Sequence, residues 1–326
     1  MQRAEYAVRG PVPQDVIACV EHATPVPQAG EVLLEMLAAP INPSDVLTLT
    51  GQYGMLPPLP AVGGNEGVGR VAALGDGVTS IAVGQRVLLP IGAGTWASHL
   101  VAPAAGLIPL PPVGDPLQLS MLAVNPPTAS LLLSEFVSLQ PGEWLIQNAA
   151  NSGVGEYVIQ LAKRRGFRTV SVVRRDDAVA PLQAIGGDVV LVDGPDLAAR
   201  VIEATGKAKI RLAIDAVGGS ATDRLAQCLA VGGTVVNYGA LSGEACKLAP
   251  GALIFRNITL RGFWLAFWYR NAAPAQQQAV FGELATLIAR GELAVRVHAT
   301  YPLSQIKDAV AAAATGGRHG KILLVP

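Results

Sequence analysis

Between residues 143 and 263 apolar strand-like runs alternate with helix-like segments, and this rhythm constrains the fold more than any other feature. The strand-like runs are "EWLIQN" (143–148), "TVSVV" (169–173), "DVVLV" (188–192), "RLAIDAV" (211–217), "GTVVNYG" (233–239) and "NITLRGF" (257–263). Helix-like segments fill 154–165, 178–185, 196–205 and 220–230. A strand that is apolar along nearly its whole length is buried on both faces. That requires a parallel sheet covered by helices on each side. Strands in two βαβαβ halves predict the doubly wound Rossmann fold, an α/β architecture that binds dinucleotides.

The flanking regions read differently. Segments 31–42, 67–74, 85–90, 97–103 and 107–111 are strands separated by Gly/Pro turns with little helix, the pattern of a small antiparallel barrel. From about 265 onward come a helix over 275–290, another over 303–314 and a closing strand, "KILLVP". This tail is too short for its own core and is expected to return to the barrel. The expected organisation is therefore a barrel domain over 1–118, a Rossmann domain over 119–264, and a return segment over 265–326. At 326 residues and 51% hydrophobic, the chain can supply both cores.

Lys plus Arg equals Asp plus Glu at 24 each, so there is no net basic footprint for nucleic acid. No apolar run approaches the ~20 residues of a membrane span. Cys19, Cys228 and Cys246 are odd in number and far apart, forming neither a disulfide framework nor a metal cluster. The opening "MQRAEYAVRG" reads as a first strand rather than a targeting segment. A cytoplasmic protein is the resulting expectation.

"IQNAANSGVG" (146–155) lies after a strand and before a helix, where backbone N–H groups and the helix dipole bind a pyrophosphate. In G-x-G-x-x-G the glycines give a tight turn, close phosphate approach and close helix packing. Here those positions hold Ala149 or Ala150, then Ser152 beside Gly153, then Gly155. Residues this small still permit close approach, and the Ser152 hydroxyl could add a bond to phosphate. The second strand ends in "VSVVRRDD". Arg174 and Arg175 stand where NAD enzymes carry an acid, and two guanidinium groups suit a 2′-phosphate. NADPH is the expected cofactor.

Taken in order, "INPSD" (41–45), "GQYG" (51–54), "LPAVGGNEGVG" (59–69), "VNPPTA" (124–129), "IQNAANSGVG" (146–155), "LRGFWL" (260–265) and "GRHGKILLVP" span the chain. Together they resemble the medium-chain dehydrogenase/reductase superfamily, and within it the mitochondrial-type trans-2-enoyl thioester reductases. The resemblance implies a GroES-like barrel with the Rossmann domain inserted in it. It also implies that Asn125, Asn151, Ser152, Gly153, Val154, Gly155, Arg174, Arg175, Tyr238, Gly239, Phe263, Trp264 and Lys321 hold the cofactor.

Zinc-dependent members of that superfamily carry cysteine where this chain has Asn42 and Gly-His-Glu where it has "GNE" (64–66). A further ligand cysteine falls near Asn125. Asparagine is a poor zinc ligand, and His22, His99, His298 and His319 are scattered, so no metal is expected. Hydride transfer without a Lewis acid suits an activated alkene, whose carbonyl takes up the charge while a protein donor stabilises it. By resemblance that donor is Tyr53 in the "GQYG" turn, a phenol that is neutral near pH 7. Asn42 and Thr128, with Asn125, would hold Tyr53, the nicotinamide amide or the substrate carbonyl. Beside proline they equally suit turn chemistry. Asp45 and Glu66 are expected to brace loops rather than move protons.

The run "GFWLAFWYR" (262–270) concentrates aromatics in a chain that is 5% aromatic. Trp264, Phe267 and Trp268, spaced three and four apart, would line an acyl pocket together with Tyr53, or form an ordinary core stripe. The resembling family tends to carry lysines after this point, where the chain has only Arg270 in "WYRNAAPAQ". A quinone, enone or acrylate acceptor is therefore the alternative to an enoyl thioester, and a non-catalytic NADPH-binding protein is the third reading. Relatives of this type dimerise through the last Rossmann strands, so a homodimer pairing along "ALIFRNITLRGFW" is expected.

Overall fold

The computed structural model describes residues 1–326. The chain forms two compact units, Met1–Val124 with Gln278–Pro326, and Asn125–Gln277. The sequence reading put the divisions at 118/119 and 264/265. The stretch 265–277 groups with the second unit, and within it the Arg270 guanidinium lies 5.0 Å from the centroid of the Trp264 ring and the Gln277 side-chain amide donates to the Tyr269 and Ala272 carbonyls at 2.9 and 3.0 Å.

The first unit begins with β1 (Gln2–Tyr6), β2 (Ile17–Glu21) and β3 (Glu31–Ile41), followed by α1 (Pro43–Thr50). It continues through β4 (Ala61–Val62), β5 (Val68–Leu74), β6 (Arg86–Leu88), β7 (His99–Pro103), β8 (Ile108–Pro109) and α2 (Pro116–Leu119).

In the second unit, α3 (Asn125–Leu132) precedes β9 (Trp144–Gln147), α4 (Gly153–Arg164), β10 (Arg168–Val173), α5 (Val179–Ala184) and β11 (Val189–Val192). Then come α6 (Leu197–Thr205), β12 (Leu212–Asp215), α7 (Gly219–Gln227), β13 (Thr234–Asn237), α8 (Pro250–Arg256), β14 (Thr259–Gly262) and α9 (Leu265–Asn271). The helix α10 (Pro274–Ala289) starts in this unit and ends in the first, which β15 (Val297–Tyr301), α11 (Ile306–Ala314) and β16 (Lys321–Leu324) complete.

The second unit contains a single parallel sheet in the order β11-β10-β9-β12-β13-β14. Five of the six expected runs contain one of these strands, and the sixth, 169–173, falls within β10, which begins one residue earlier. Order reverses beside β9, between β10 and β12, and ligands of doubly wound sheets bind at such a switch point. Val170, Ile146, Ala213 and Val235 supply one buried face of the sheet, packed with Leu197, Val201 and Leu225 from α6 and α7.

In the first unit, β2-β1-β4 form a small antiparallel sheet. A larger one runs β15-β16-β3-β5-β6-β8, with β7 also on β3. The return expected of the C-terminal segment is realised by β16, which pairs antiparallel with β3 so that Ile322 faces Ile41. The front half of β3 alternates buried and half-buried residues, and its last four residues are all buried. Polar neighbours there must find internal partners.

The N-terminal region holds α1 and the one-turn α2, which the strand-like pattern did not announce. The local signal for α1 was present: Asn42 as N-cap, Pro43 at the first helical position and Asp45 at the third, with Gly51 closing the helix at φ +79°. Apolar periodicity over eight residues is too short to reveal it.

Candidate active site

The turn after β9 has a geometry that could hold a phosphate. Ala149, the first of the two alanines that open the turn, takes φ +46°, a left-handed conformation that glycine would adopt freely. The Ser152 amide closes the turn on the Ala149 carbonyl at 2.9 Å. Ser152 is the N-cap of α4, and its hydroxyl accepts from the Gly155 amide at 3.2 Å. The same hydroxyl meets the Tyr238 phenol, whose pKa burial pushes above the usual range and the Ser152 bond lowers. The Ser152 hydroxyl is thus engaged within the protein. The anion-binding capacity resides in the first amides of α4, at Gly153 and Val154, which have no partner within the helix.

Beneath this turn lies a carboxylate that the sequence reading passed over. Asp215, at the C-terminal end of β12, is fully buried. Its Oδ1 accepts from the Asn148 amide group at 2.6 Å and from the Val217 and Gly218 N–H groups at 2.9 and 3.1 Å. Its Oδ2 accepts from the Thr222 hydroxyl at 2.6 Å and the Asn237 amide group at 3.2 Å. Asn148, Asp215 and Asn237 lie at or just beyond the C-terminal ends of β9, β12 and β13. A polar residue closing an apolar strand is the signal that could have found them. Gly239 lies close by, its position set by its carbonyl accepting from Asn237 at 2.9 Å.

Arg174 and Arg175 follow β10 directly. Arg174 is exposed, and the Arg175 Nε bonds Asp177 Oδ1 at 3.1 Å. Asn125 and Thr128 lie one turn apart on α3, a helix with every residue buried. The Phe263 amide donates to the Asn237 carbonyl at 2.9 Å, and its ring meets Phe136 edge-on at 5.8 Å. The aromatic run is helical. Trp264 caps α9 and Trp268 sits one turn on, whereas Phe267 is 63% exposed.

In the first unit, four polar side chains are buried together: Asn42, Asp45, Glu66 and Lys321. Asp45 accepts from the Asn42 and Asn65 amides at 2.7 and 2.9 Å. Glu66 Oε1 accepts from the Asn42 side-chain amide at 2.7 Å, and Oε2 accepts from the Val124 N–H at 2.9 Å. Lys321, on β16, donates to Asn42 Oδ1. Gly64 brings Glu66 into place by turning at φ +101°, where a methyl group would lie 2.8 Å from the Trp96 amide nitrogen. Burial raises the Glu66 pKa to about 7 against the lowering pull of Lys321, and raises Asp45 to about 6. It lowers Lys321 to about 8, opposed by both carboxylates. The half-buried Tyr53 follows α1, its N–H bonded to the Leu47 carbonyl at 3.1 Å.

This donor set does not fit zinc. The Asn42 side chain is held by a carboxylate on one side and an ammonium on the other. Glu66 has both oxygens engaged, and an ammonium bonded to a would-be ligand repels a dication. No three His, Cys, Asp or Glu side chains cluster to hold a metal.

Residues 28–112 match the alcohol dehydrogenase GroES-like domain, and residues 153–279 match the zinc-binding dehydrogenase family. The rat mitochondrial enoyl-[acyl-carrier-protein] reductase is 40% identical over 295 residues, which cover 87% of this chain and 78% of the relative. The chain belongs to the medium-chain dehydrogenase/reductase superfamily, in its enoyl reductase branch. Membership makes it an oxidoreductase acting on a CH–CH group. Solved structures agree. A protein described as an NADPH:quinone reductase from Bacillus thuringiensis superposes with TM-score 0.90 at 30% identity, covering 100% of this chain and 98% of its own. The Etr1p complex with NADP and crotonyl-CoA gives 0.89 at 27%, with 100% and 99% covered. The 2-enoyl thioester reductase Etr1p/Etr2p heterodimer from Candida tropicalis gives 0.88 at 28%, with the same coverage. These relatives correct the expectation of a cytoplasmic protein, since the curated reductases it matches are mitochondrial. Composition and cysteine spacing do not distinguish the cytosol from other compartments.

Proposed function

We propose that the protein reduces the C=C bond of a trans-2-enoyl thioester with NADPH and without zinc. The observation that carries this reading is the Tyr53 turn. Asn42 and Asp45 fix the start of α1, Gly51 ends it, and Leu47 holds the Tyr53 backbone, so a phenol is presented from a rigid base. The relative that holds NADP and crotonyl-CoA supports it, as does the mitochondrial enoyl reductase relative.

The cofactor is NADPH, and when bound it supplies the hydride for the β-carbon. The first amides of α4 bind its pyrophosphate, and Arg174 and Arg175 bind the 2′-phosphate that distinguishes it from NADH. Tyr53 donates a hydrogen bond to the carbonyl oxygen as charge develops and supplies the α-carbon proton. Asn125 and Thr128, on one face of α3, orient the reacting groups, and Trp264 and Trp268 line the acyl pocket. Lys321 donates to Asn42 and fixes the direction of that side chain.

The test is crotonyl-CoA with NADPH or NADH, repeated with Tyr53→Phe. NADPH should be the far better donor, and Tyr53→Phe should lower kcat by about a hundredfold with NADPH affinity unchanged. An unchanged rate in the variant would remove Tyr53 from the chemistry. A quinone acceptor is the second reading, favoured by the Bacillus thuringiensis relative and by Arg270, the one cation in "WYRNAAPAQ", being stacked on Trp264. We also propose a homodimer through β14, an edge strand whose residues are all exposed, beside Ile254 and Phe255 (82% exposed) on α8. The Etr1p/Etr2p heterodimer supports an assembly of two such chains.

A further inference from the structure

Glu66 belongs to no part of the chemistry above, yet it is fully buried and both of its oxygens are used. Its two partners differ in what they lead to. The Asn42 side chain, on Oε1, is the N-cap residue of α1, and α1 ends two residues before Gln52 and three before Tyr53. The Val124 amide, on Oε2, is one peptide bond before Asn125, and Thr128 lies one turn further along α3. One carboxylate therefore bonds the side chain that caps α1 and the backbone amide that precedes α3, the elements leading to the two groups of polar residues assigned to the reaction.

We infer that Glu66 is a positioning residue that sets both polar segments at once, α1 with Tyr53 through Asn42, and the entry to α3 through Val124. This rests on the proposed enoyl reduction. The bonding pattern gives the inference its specificity. Asn42 and Val124 each present an N–H donor, so position 66 needs two acceptors, which only a carboxylate of this length provides. Asn42 can donate to Glu66 because its carbonyl oxygen is turned to the Lys321 ammonium. Lys321 thereby fixes which way the amide points, and Asp45, bonded to the Asn42 backbone, fixes where it sits.

The pattern can be inverted without changing volume or net charge. Glu66→Gln leaves one oxygen for Val124 but turns an NH2 group on the Asn42 NH2 group. Adding Asn42→Asp restores an acceptor opposite that NH2 group and gives Lys321 a carboxylate. The experiment compares wild type, E66Q and N42D/E66Q in turnover of crotonyl-CoA, in NADPH binding by fluorescence, and in hydrogen–deuterium exchange of segments 43–53 and 120–128 without ligands. For E66Q, kcat should fall about tenfold or more while NADPH affinity changes by less than about threefold. Exchange should quicken in both segments. The double variant should restore protection in both segments. Should E66Q fail to fold, Glu66→Asp, which retracts the carboxylate by one methylene, replaces it with the same expectation.

The inference is overturned by kcat in E66Q within about twofold of wild type, by quickened exchange in one segment only, or by a double variant no better protected than the single. Absence of crotonyl-CoA turnover by wild-type protein would instead sink the proposed function. The exchange data would still decide whether Glu66 holds both segments.

Discussion

A methyl group on Gly155 would lie 2.7 Å from the Cα and carbonyl carbon of Ala150. Of the three small positions in the phosphate turn, this is the one where glycine is sterically required. The first turn of α4 sits directly against the chain that enters it. Gly155→Ala must push that helix start away and should lower NADPH affinity by about tenfold or more, with ~1–3 kcal/mol lost from stability. Fluorescence titration and denaturant unfolding of the same sample measure both. Wild-type affinity in the variant would show that the helix start does not contact the nucleotide.

Ala149 predicts the opposite sign. Its φ of +46° costs an L-residue what glycine would not lose. Ala149→Gly should leave NADPH binding intact and raise unfolding stability by about 1 kcal/mol. Equal or lower stability would mean that the alanine methyl packs well enough to offset the strain.

Arg174 and Arg175 should decide the cofactor. Charge-assisted bonds to a phosphate contribute ~1.5–3 kcal/mol each. The double change to alanine should therefore raise the NADPH KM by at least about tenfold and leave the NADH KM unaltered. Because Arg175 is also bonded to Asp177 at 3.1 Å, Asp177→Asn should lower the NADPH KM slightly. Parallel loss with both cofactors would remove the 2′-phosphate assignment.

The buried cluster makes stability depend on pH with a definite sign. Burial raises Glu66 from 4.5 to about 7 and Asp45 from 3.8 to about 6. Over those windows the folded protein binds more protons than the unfolded chain, so stability falls as pH rises from about 4 to about 7. Lys321, lowered from 10.5 to about 8, reverses the slope: above about pH 8 the unfolded chain holds more protons and stability rises again, up to the ordinary lysine range. Unfolding in denaturant across this range should show a shallow minimum near neutrality. Glu66→Gln should flatten its acid side, and a curve unchanged by that substitution would contradict the assignment.

The Rossmann sheet was legible because each strand is apolar on both faces, so "EWLIQN", "DVVLV" and "GTVVNYG" carry their own assignment. The turn was legible too, since Ser152 and Gly155 occupy fixed offsets between a strand and a helix. Three things were not. The eight-residue helix after Asn42 is too short for periodicity and shows only through its capping residues. The convergence of Asn148, Asp215 and Asn237 depends on parallel register, which places residues dozens of positions apart side by side at one end of the sheet. The bond of Lys321 to Asn42 was not, because it spans 279 positions and exists only because β16 pairs with β3.

That last pairing has a consequence for how the chain assembles. The second unit is one unbroken stretch, so its contacts can form as it is synthesised. The first unit instead waits for β16, which is inserted between β15 and β3 and brings the cation that neutralises the buried acids. Until then Asp45 and Glu66 lie in a half-built interior with no counter-charge, and the long loop closure makes completion slow. A nascent chain would therefore carry a finished parallel sheet beside an unfinished first unit, and a chaperone has its greatest opportunity in that interval.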